Sequence, residues 1–574
     1  MNDHFRVFDN EFIFAQPVAR QIWKDKYAYR RDGVEMDLTV RDTWQRVANG
    51  LSAAEPDAKR DAVFHKFYNA MEGFRLLPGG RILSGAGTER DVTLFNTFVM
   101  RTIPDALSGI MDTIKDAALT MKMGGGIGFD FSTIRPQGSN IKGLDCPAAG
   151  PLAVMDICDS VCAMLVTGMG RGAMMATLRC DHPDIEGFVN AKADRARFRN
   201  FNLSVLVTDD FVEAVKEGRS WALNWNGKTV RTIDAKALWG AIMERTYAAA
   251  EPGVLFIDRI NRANPLGYAE EIAATNSCAE QPLPPNGACP LASINLAQLV
   301  KNPFRRDAYL DLLELRDLVA TAVHLLDNAI DVSKFALPAQ EQEARDKRRI
   351  GVGVTGVADA LIMVGLRYGS DPAVATFGRW MHVLKNAAYA ASARRARERG
   401  SFPLYNHDAH CDRGAFRGLD FETRALIRDH GLRNGLLTTI APTGTTSMFA
   451  GNVSSGIEPV FATSFTRRIT RPNREVDYEV VKDYAVWLYH QTYGADAPLT
   501  DAFVTAMDLT PDDHVRMQAT AQQWVDSGIS KTVNCPEDID FQSFKDVYWR
   551  AHETGCKGCT TYRPNDVTGS VLSA

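Results

Sequence analysis

Short β-branched or apolar runs, NLSVLVT, GVLFID and RIGVGVTG, alternate along this chain with long helical stretches, LWGAIMERTYAAA, LRDLVATAVHLLDNAI and FGRWMHVLKNAAYAASARRARER. That alternation constrains the fold more than any other feature. Strands separated by helices pack as parallel β/α units. The first 75 or so residues read differently, as charged helices such as TVRDTWQRVANGLS, with Thr39 placed to cap one of them. LLPGGRILSGAG then breaks the helical pattern. The simplest division is an N-terminal helical region, residues 1–75, and one large β/α domain, residues 76–574. In such domains chemistry gathers on loops at strand ends.

A net charge of −5 gives no electrostatic case for nucleic acid or an anionic membrane as the main partner. The start, MNDHFRVFDNEFIFAQPVARQ, lacks the pattern of a secretory signal, and no stretch is apolar for long enough to span a membrane. Ten cysteines in 574 residues are too sparse for a disulfide scaffold and fit a reducing cytoplasm, in which a few thiols do chemistry. A soluble intracellular enzyme is the expectation.

Most of those cysteines read as small core hydrophobes, Cys146, Cys158, Cys162, Cys180, Cys411 and Cys535 among them. Cys158 and Cys162 have a metal-compatible spacing, but no His/Cys pair lies near them in sequence, and no metal is expected. Cys278 differs in its neighbours. Alternation within N-S-C-A-E puts Asn276, Cys278 and Glu280 on one face of an extended segment. A carboxamide, a thiol and a carboxylate converging on one substrate can orient hydroxyls and remove a proton. A carboxylate beside a thiol also raises the thiol pKa, which works against a thiolate nucleophile and suits a sulfur that reacts as a neutral radical. Taken alone, N-x-C-x-E is a weak signal.

A second element, IAPTGTTSMFAGNVSSGIEPVF (440–461), offers Thr443, Gly444, Thr445, Thr446 and Ser447 just before a helix start. Hydroxyls and backbone N–H groups there make either a cradle for phosphate oxygens or a plain Ser/Thr-rich helix cap. No Gly-Lys-Ser/Thr follows, so it is not a Walker loop. MKMGGGIGFDFS (121–132) lacks the dinucleotide fingerprint, and its glycines are assigned to a tight turn or close packing.

Together these motifs resemble the adenosylcobalamin-dependent (class II) ribonucleotide reductases. The resemblance covers most of the chain, from LLPGGRILSGAG to GCKGCTTYRPN, with GGGIGFDFSTIRPQGSNIKG, RGAMMATLRCDHPDIEGF, NSCAEQPLPPNGACPLASINL, RRIGVGVTGVADAL and ISKTVNCPEDIDFQSFKDVY in family order. It implies a ten-stranded α/β barrel of two antiparallel five-stranded halves, with the radical cysteine on a finger loop inside. It further implies a thiyl at Cys278 generated with adenosylcobalamin, Glu280 as the base for the substrate 3′-OH, Asn276 as a hydroxyl ligand, and the 443–447 turn on the phosphates. A deoxynucleotide effector at a dimer interface is implied at Asp105, Arg135 and Lys142, with ADRARFRNFN (193–202) as the specificity loop. Arg135 and Lys142 also read as ordinary surface charges. Neither an N-terminal ATP-cone pattern nor the D-x-H-x-x-G cobalamin motif is found; DAHCDRG (408–414) has one residue too many.

Three departures stand out. The family pairs a redox cysteine with the one at Cys289, and this chain has Thr97 in that place, which cannot form a disulfide. No tail carrying two recharging cysteines follows TTYRPNDVTGSVLSA, and CKGC (Cys556, Cys559) is assigned to the last barrel motif. NSCAE replaces the family's NPCGE. The expected activity is therefore radical reduction of ribonucleotides, with a thioredoxin-like or other reductant, in a cytoplasmic homodimer. Two alternatives stay open: a thiyl-radical nucleotide enzyme with another electron source or a non-reductive outcome, and a nucleotide-binding homologue without turnover.

Overall fold

The computed structural model describes residues 13–565 apart from 142, 168–169, 172, 195, 413–415 and 471–475. Two sheets carry its core. Their strands, in chain order, are β1 (Leu76–Pro78), β2 (Thr97–Val99), β3 (Gly126–Asp130), β4 (Met174–Arg179), β5 (Phe201–Val207), β6 (Gly253–Phe256), β7 (Ala288–Cys289), β8 (Leu291–Asn295), β9 (Gly351–Thr355) and β10 (Gly558–Cys559). The first sheet runs β7-β2-β3-β4-β5-β6-β10. Its five inner strands, β2 to β6, are all parallel, and the short edge strands β7 and β10 are antiparallel to them. Parallel strands covered on both faces need near-continuous apolar runs rather than alternation. β5 fits: every residue but Asn202 is buried.

The second sheet runs β9-β8-β1, with β8 and β9 parallel and β1 antiparallel. Beyond β9 the pairing continues only as single parallel bridges, Val352 to Thr438 and Ile440 to Ile529. The described residues thus show one half with five parallel strands and a second, less regular half. The irregularity has a local cause. The N–H groups of Leu437 and Thr438 donate to the Asp526 carboxylate at 3.2 and 3.3 Å. Groups bonded in this way do not extend a ladder.

The N-terminal region is helical, with Val40–Ser52 and Asp57–Met71 packed together. Thr39 caps the first of these in a full capping box with Asp42. A buried charge network joins this region to the long helices Leu312–Val332 and Asp371–Arg399. Glu55 accepts from His324 at 2.7 Å and from Arg399 at 2.6 Å, and Arg395 bridges Glu55 to Asp327. Buried charges hold together only when paired in this way.

Candidate active site

The segment holding Cys278 is the tip of a hairpin. Ala274–Thr275 pairs antiparallel with Pro282–Leu283, so residues 276–281 must reverse direction. The extended alternation expected from N-S-C-A-E is corrected here: the segment is a turn. Asn276 shapes it. Its backbone N–H donates to the Gln281 carbonyl at 3.2 Å, its side-chain oxygen accepts the Gln281 N–H at 2.9 Å, and its carbonyl accepts the Ala279 N–H at 3.1 Å. Ala279 is left in the left-handed region, φ +63°. Two glycines let the tip enter between the sheets. A Cβ on Gly128 of β3 would collide with the Thr275 carbonyl, and one on Gly528 would lie 2.5 Å from the Ala279 carbonyl oxygen.

The turn nevertheless brings Asn276, Cys278 and Glu280 to one cleft of about 370 Å³, which Thr97, Arg81 and residues 443–446 also line. The Asn276 amide donates to the Glu280 carboxylate at 2.7 Å. Burial lifts Glu280 from the ordinary carboxylate range to about 7, against the lowering effect of the Asn276 bond. Cys278 presents free surface to the cleft, yet the surrounding hairpin and sheet desolvate its thiol. That desolvation, with the Glu280 charge second, pushes its thiol up to about 12, so it stays S–H at neutral pH. The Ser277 hydroxyl lies 3.7 Å from the sulfur.

Four of the five residues named on the 443–447 turn are brought to the cleft. Thr443, φ +52°, precedes the short helix Gly444–Phe449, and Thr443, Gly444, Thr445 and Thr446 line the cleft. The first main-chain bond of that helix runs from the Ser447 N–H to the Thr443 carbonyl, so the amides of 444–446 precede the ladder. Ser447 is not brought to the cleft: it is buried, and its hydroxyl bonds Ser455 at 3.0 Å.

Cys289 lies behind the cleft wall, fully buried, its thiol directed at the Pro290 carbonyl. Burial holds its pKa well above the ordinary thiol value. Thr97 stands directly opposite it across the β2–β7 pair, and the Thr97 hydroxyl donates to the Cys289 carbonyl at 2.9 Å. Cys556 and Cys559 are buried, the latter in β10. Asp105 and Arg135 pair with each other at 2.9 Å away from the cleft; Lys142, the third expected effector residue, and Arg195 of the 193–202 loop lie outside the described residues. Of DAHCDRG, residues 408–411 belong to the short helix His407–Cys411, and 413–414 lie outside the described residues.

Among the cleft residues that the sequence reading missed are Lys26, Tyr27 and Arg81. Only Arg81 left a signal, a lone cation inside the Gly-rich apolar run LLPGGRILSGAG. A second cavity of about 330 Å³ reaches Ser277, Cys278 and Ala279 and is walled by β5, β6, β10 and residues 528–532. Cys278 borders both spaces.

This two-sheet architecture around a thiol-bearing hairpin agrees with two family profiles. One, described as ribonucleotide reductase, all-alpha domain, matches residues 14–91; the other, ribonucleotide reductase, barrel domain, matches residues 96–562. The chain belongs to the ribonucleotide reductase family. Its relatives place it in the class II branch. It is 37% identical to the vitamin B12-dependent ribonucleoside-diphosphate reductase of Mycobacterium tuberculosis (strain CDC 1551 / Oshkosh), over 97% of this chain and 80% of that one. The protein of the same name from Thermoplasma acidophilum is 34% identical over 99% and 73%. A vitamin B12-dependent ribonucleotide reductase of Streptomyces clavuligerus is 26% identical over 85% and 58%.

Proposed function

We propose that this chain reduces ribonucleotides, as 5′-diphosphates, to 2′-deoxyribonucleotides through a thiyl radical at Cys278, in an adenosylcobalamin-dependent reaction. The observation that carries the reading is the convergence of Asn276, Cys278 and Glu280 on one cleft, with the sulfur held as a thiol and the carboxyl poised near neutrality. A thiol that gives up a hydrogen atom has no use for a thiolate, and a base that removes a hydroxyl proton works best with a pKa near the working pH. Cys278, as thiyl, takes the 3′ hydrogen of the ribose. Glu280 accepts the 3′-OH proton, Asn276 holds the hydroxyls while fixing the Glu280 carboxylate, and the 2′-OH leaves as water. Thr443, Gly444, Thr445 and Thr446 face the phosphates, while Ser447 supports the turn from behind. Diphosphate is the substrate form in the names of the M. tuberculosis and T. acidophilum relatives.

Adenosylcobalamin supplies the radical equivalent that oxidises Cys278. The second cavity fits its adenosyl group. Ser204, Ser530, Thr532 and Thr560 line it with hydroxyls, and Gln518 in its wall keeps a buried side-chain oxygen without a hydrogen-bond partner among the described residues. Gly253 keeps space open there, since a Cβ would lie 3.2 Å from the Thr560 hydroxyl.

Thr97 alters the last stage. Opposite Cys289 it offers a hydroxyl, so the reducing electrons come from a donor other than a 97–289 dithiol, a thioredoxin-like dithiol being the proposed class. The ten-stranded barrel of two antiparallel halves is also proposed, with residues 438–440 and 529 continuing the second half, and the division at residue 75 is supported by β1 starting at Leu76. A homodimer with an effector near Asp105 and Arg135 is supported by apolar side chains left exposed on two adjacent helices, Leu107 and Met111 on Leu107–Lys122 and Ile157 and Met164 on Gly150–Met164. No described helix is long and apolar enough to cross a membrane.

The test is incubation with adenosylcobalamin, labelled ribonucleoside diphosphate and dithiothreitol. Deoxynucleotide formed over many turnovers is the expected result. Release of free base with self-inactivation overturns complete reduction, and no substrate-dependent cobalt(II) signal overturns the radical reading altogether.

A further inference from the structure

The cleft contains a guanidinium that no described residue answers. Arg81 sits in the short helix Gly80–Gly85, half-buried in the cleft wall. Among the described residues its side chain makes neither a hydrogen bond nor an ion pair, unlike the buried Arg348, Arg349 and Arg395, each held by carboxylates. Burial lowers its pKa to about 10, which leaves it charged at neutral pH. A cation desolvated in this way costs free energy until an anion completes it.

The slot around it is built. Gly124 at φ +100° presents bare backbone to the guanidinium, and a Cβ there would lie 3.1 Å from the Arg81 Cζ. Tyr27 fills the space toward the phosphate turn. Its ring would meet a Cβ on Gly80 at 3.6 Å and lies 5.0 Å, centroid to centroid, from Phe449, the last residue of the helix that begins at Gly444. Lys26, half-buried and without an ion pair among the described residues, lines the same wall. The one carboxylate in the cleft lining, Glu280, is bonded to Asn276. Two cations beside the 443–446 turn therefore await a ligand carrying negative charge.

We propose that Arg81, with Lys26, binds the terminal phosphate of the ribonucleotide substrate, so that the preference for a diphosphate over a monophosphate resides in this pair. The proposal rests on reading the cleft as the ribonucleotide site. The phosphate nearer the ribose meets the 443–446 turn, and the one beyond it meets the guanidinium, whose planar fork suits two oxygens of one phosphate.

The measurement is calorimetric binding of a ribonucleoside 5′-diphosphate and of the matching 5′-monophosphate to the full chain, with a deoxynucleotide effector saturating. Arg81→Gln is expected to weaken the diphosphate by about 30-fold, the worth of a charge-assisted contact, and the monophosphate by less than about threefold. Arg81→Lys should restore part of the loss, and Lys26→Gln should show the same selectivity more weakly, which covers a failure of the Arg81 variants to fold. In turnover the loss should fall on KM with kcat nearly unchanged. Equal weakening of both nucleotides, or of neither, overturns the assignment. Wild-type protein that binds neither nucleotide overturns the ribonucleotide reading itself, a separate outcome.

Discussion

The hairpin tip at 276–281 and the strand pair at Thr97 and Cys289 serve the same cleft but differ in completeness. At the tip, the groups proposed for hydrogen-atom and proton transfer stand together, and the environment tunes two of them: burial keeps Cys278 a thiol and brings Glu280 to about 7. At the strand pair, one sulfur stands alone behind the wall, and its opposite number is a hydroxyl already bonded to the backbone. On the proposed reading, activation of the substrate and the supply of electrons are separable in this chain, the first resting on the hairpin tip and the second on a donor.

The sharpest way to break that contrast is at the sulfur. Cys278→Ser is expected to lower turnover by at least about 10⁴-fold, because a hydroxyl hydrogen is too strongly held to be exchanged with a ribose carbon, while nucleotide affinity stays within a few-fold. Retained turnover would remove Cys278 from its role. Glu280→Gln comes next, with a loss of about 10²–10⁴-fold. For the intact chain, kcat/KM should climb with pH up to about 7, as the Glu280 carboxyl ionises, and then level off. Stability moves the opposite way. A carboxyl whose pKa is raised on folding contributes its full stability below about 4.5 and loses it as pH climbs through about 7. Glu280→Gln should therefore raise Tm relative to the parent at pH 8, by the equivalent of about 1–3 kcal/mol, and by much less at pH 5. A gain that does not depend on pH would mean that Glu280 is not the group titrating there.

A smaller effect is expected at the strand pair. Thr97 and Cys289 are direct partners, and the bond from the Val99 N–H to the Gly287 carbonyl marks theirs as a hydrogen-bonded pair. Cα atoms in such pairs lie about 5.5 Å apart, inside the range a disulfide spans. Thr97→Cys should raise dithiothreitol-dependent product several-fold and lose two titratable thiols after a single turnover without reductant. Unchanged product with both thiols intact would show that the missing sulfur is not what limits this enzyme.

How much of this was legible in the chain differs between the same two regions. The parallel β/α reading followed from NLSVLVT and GVLFID, which are strands because burial on both faces demands continuous apolar runs. The trio at 276–280 was expected on a strand and lies instead on a turn that still brings it to one cleft, since side-chain alternation says nothing about a hairpin that must turn. Thr97 could be set opposite Cys289 only through resemblance, because their pairing spans 192 positions. Arg81 left a signal that went unread for a different reason. A lone arginine in a glycine-rich run looks like surface charge until the fold buries it without a partner.

The last and smallest test concerns Ala279, which the family's NPCGE pattern replaces with glycine. The tip holds this residue at φ +63°, where a Cβ crowds the neighbouring carbonyl. That costs about 1 kcal/mol for an alanine, while glycine adopts the conformation freely. Glycine also loses more freedom on folding, so the net gain from Ala279→Gly is expected to be below about 1 kcal/mol, read as a slight rise in Tm. The more informative readout is the thiol. A tip relieved of strain is less firmly held, so Cys278 should react faster with a small alkylating reagent while Cys289, on its ladder, does not change. If both are unaffected, the alanine is accommodated without strain, and the tip owes its shape to the Asn276 hydrogen bonds alone.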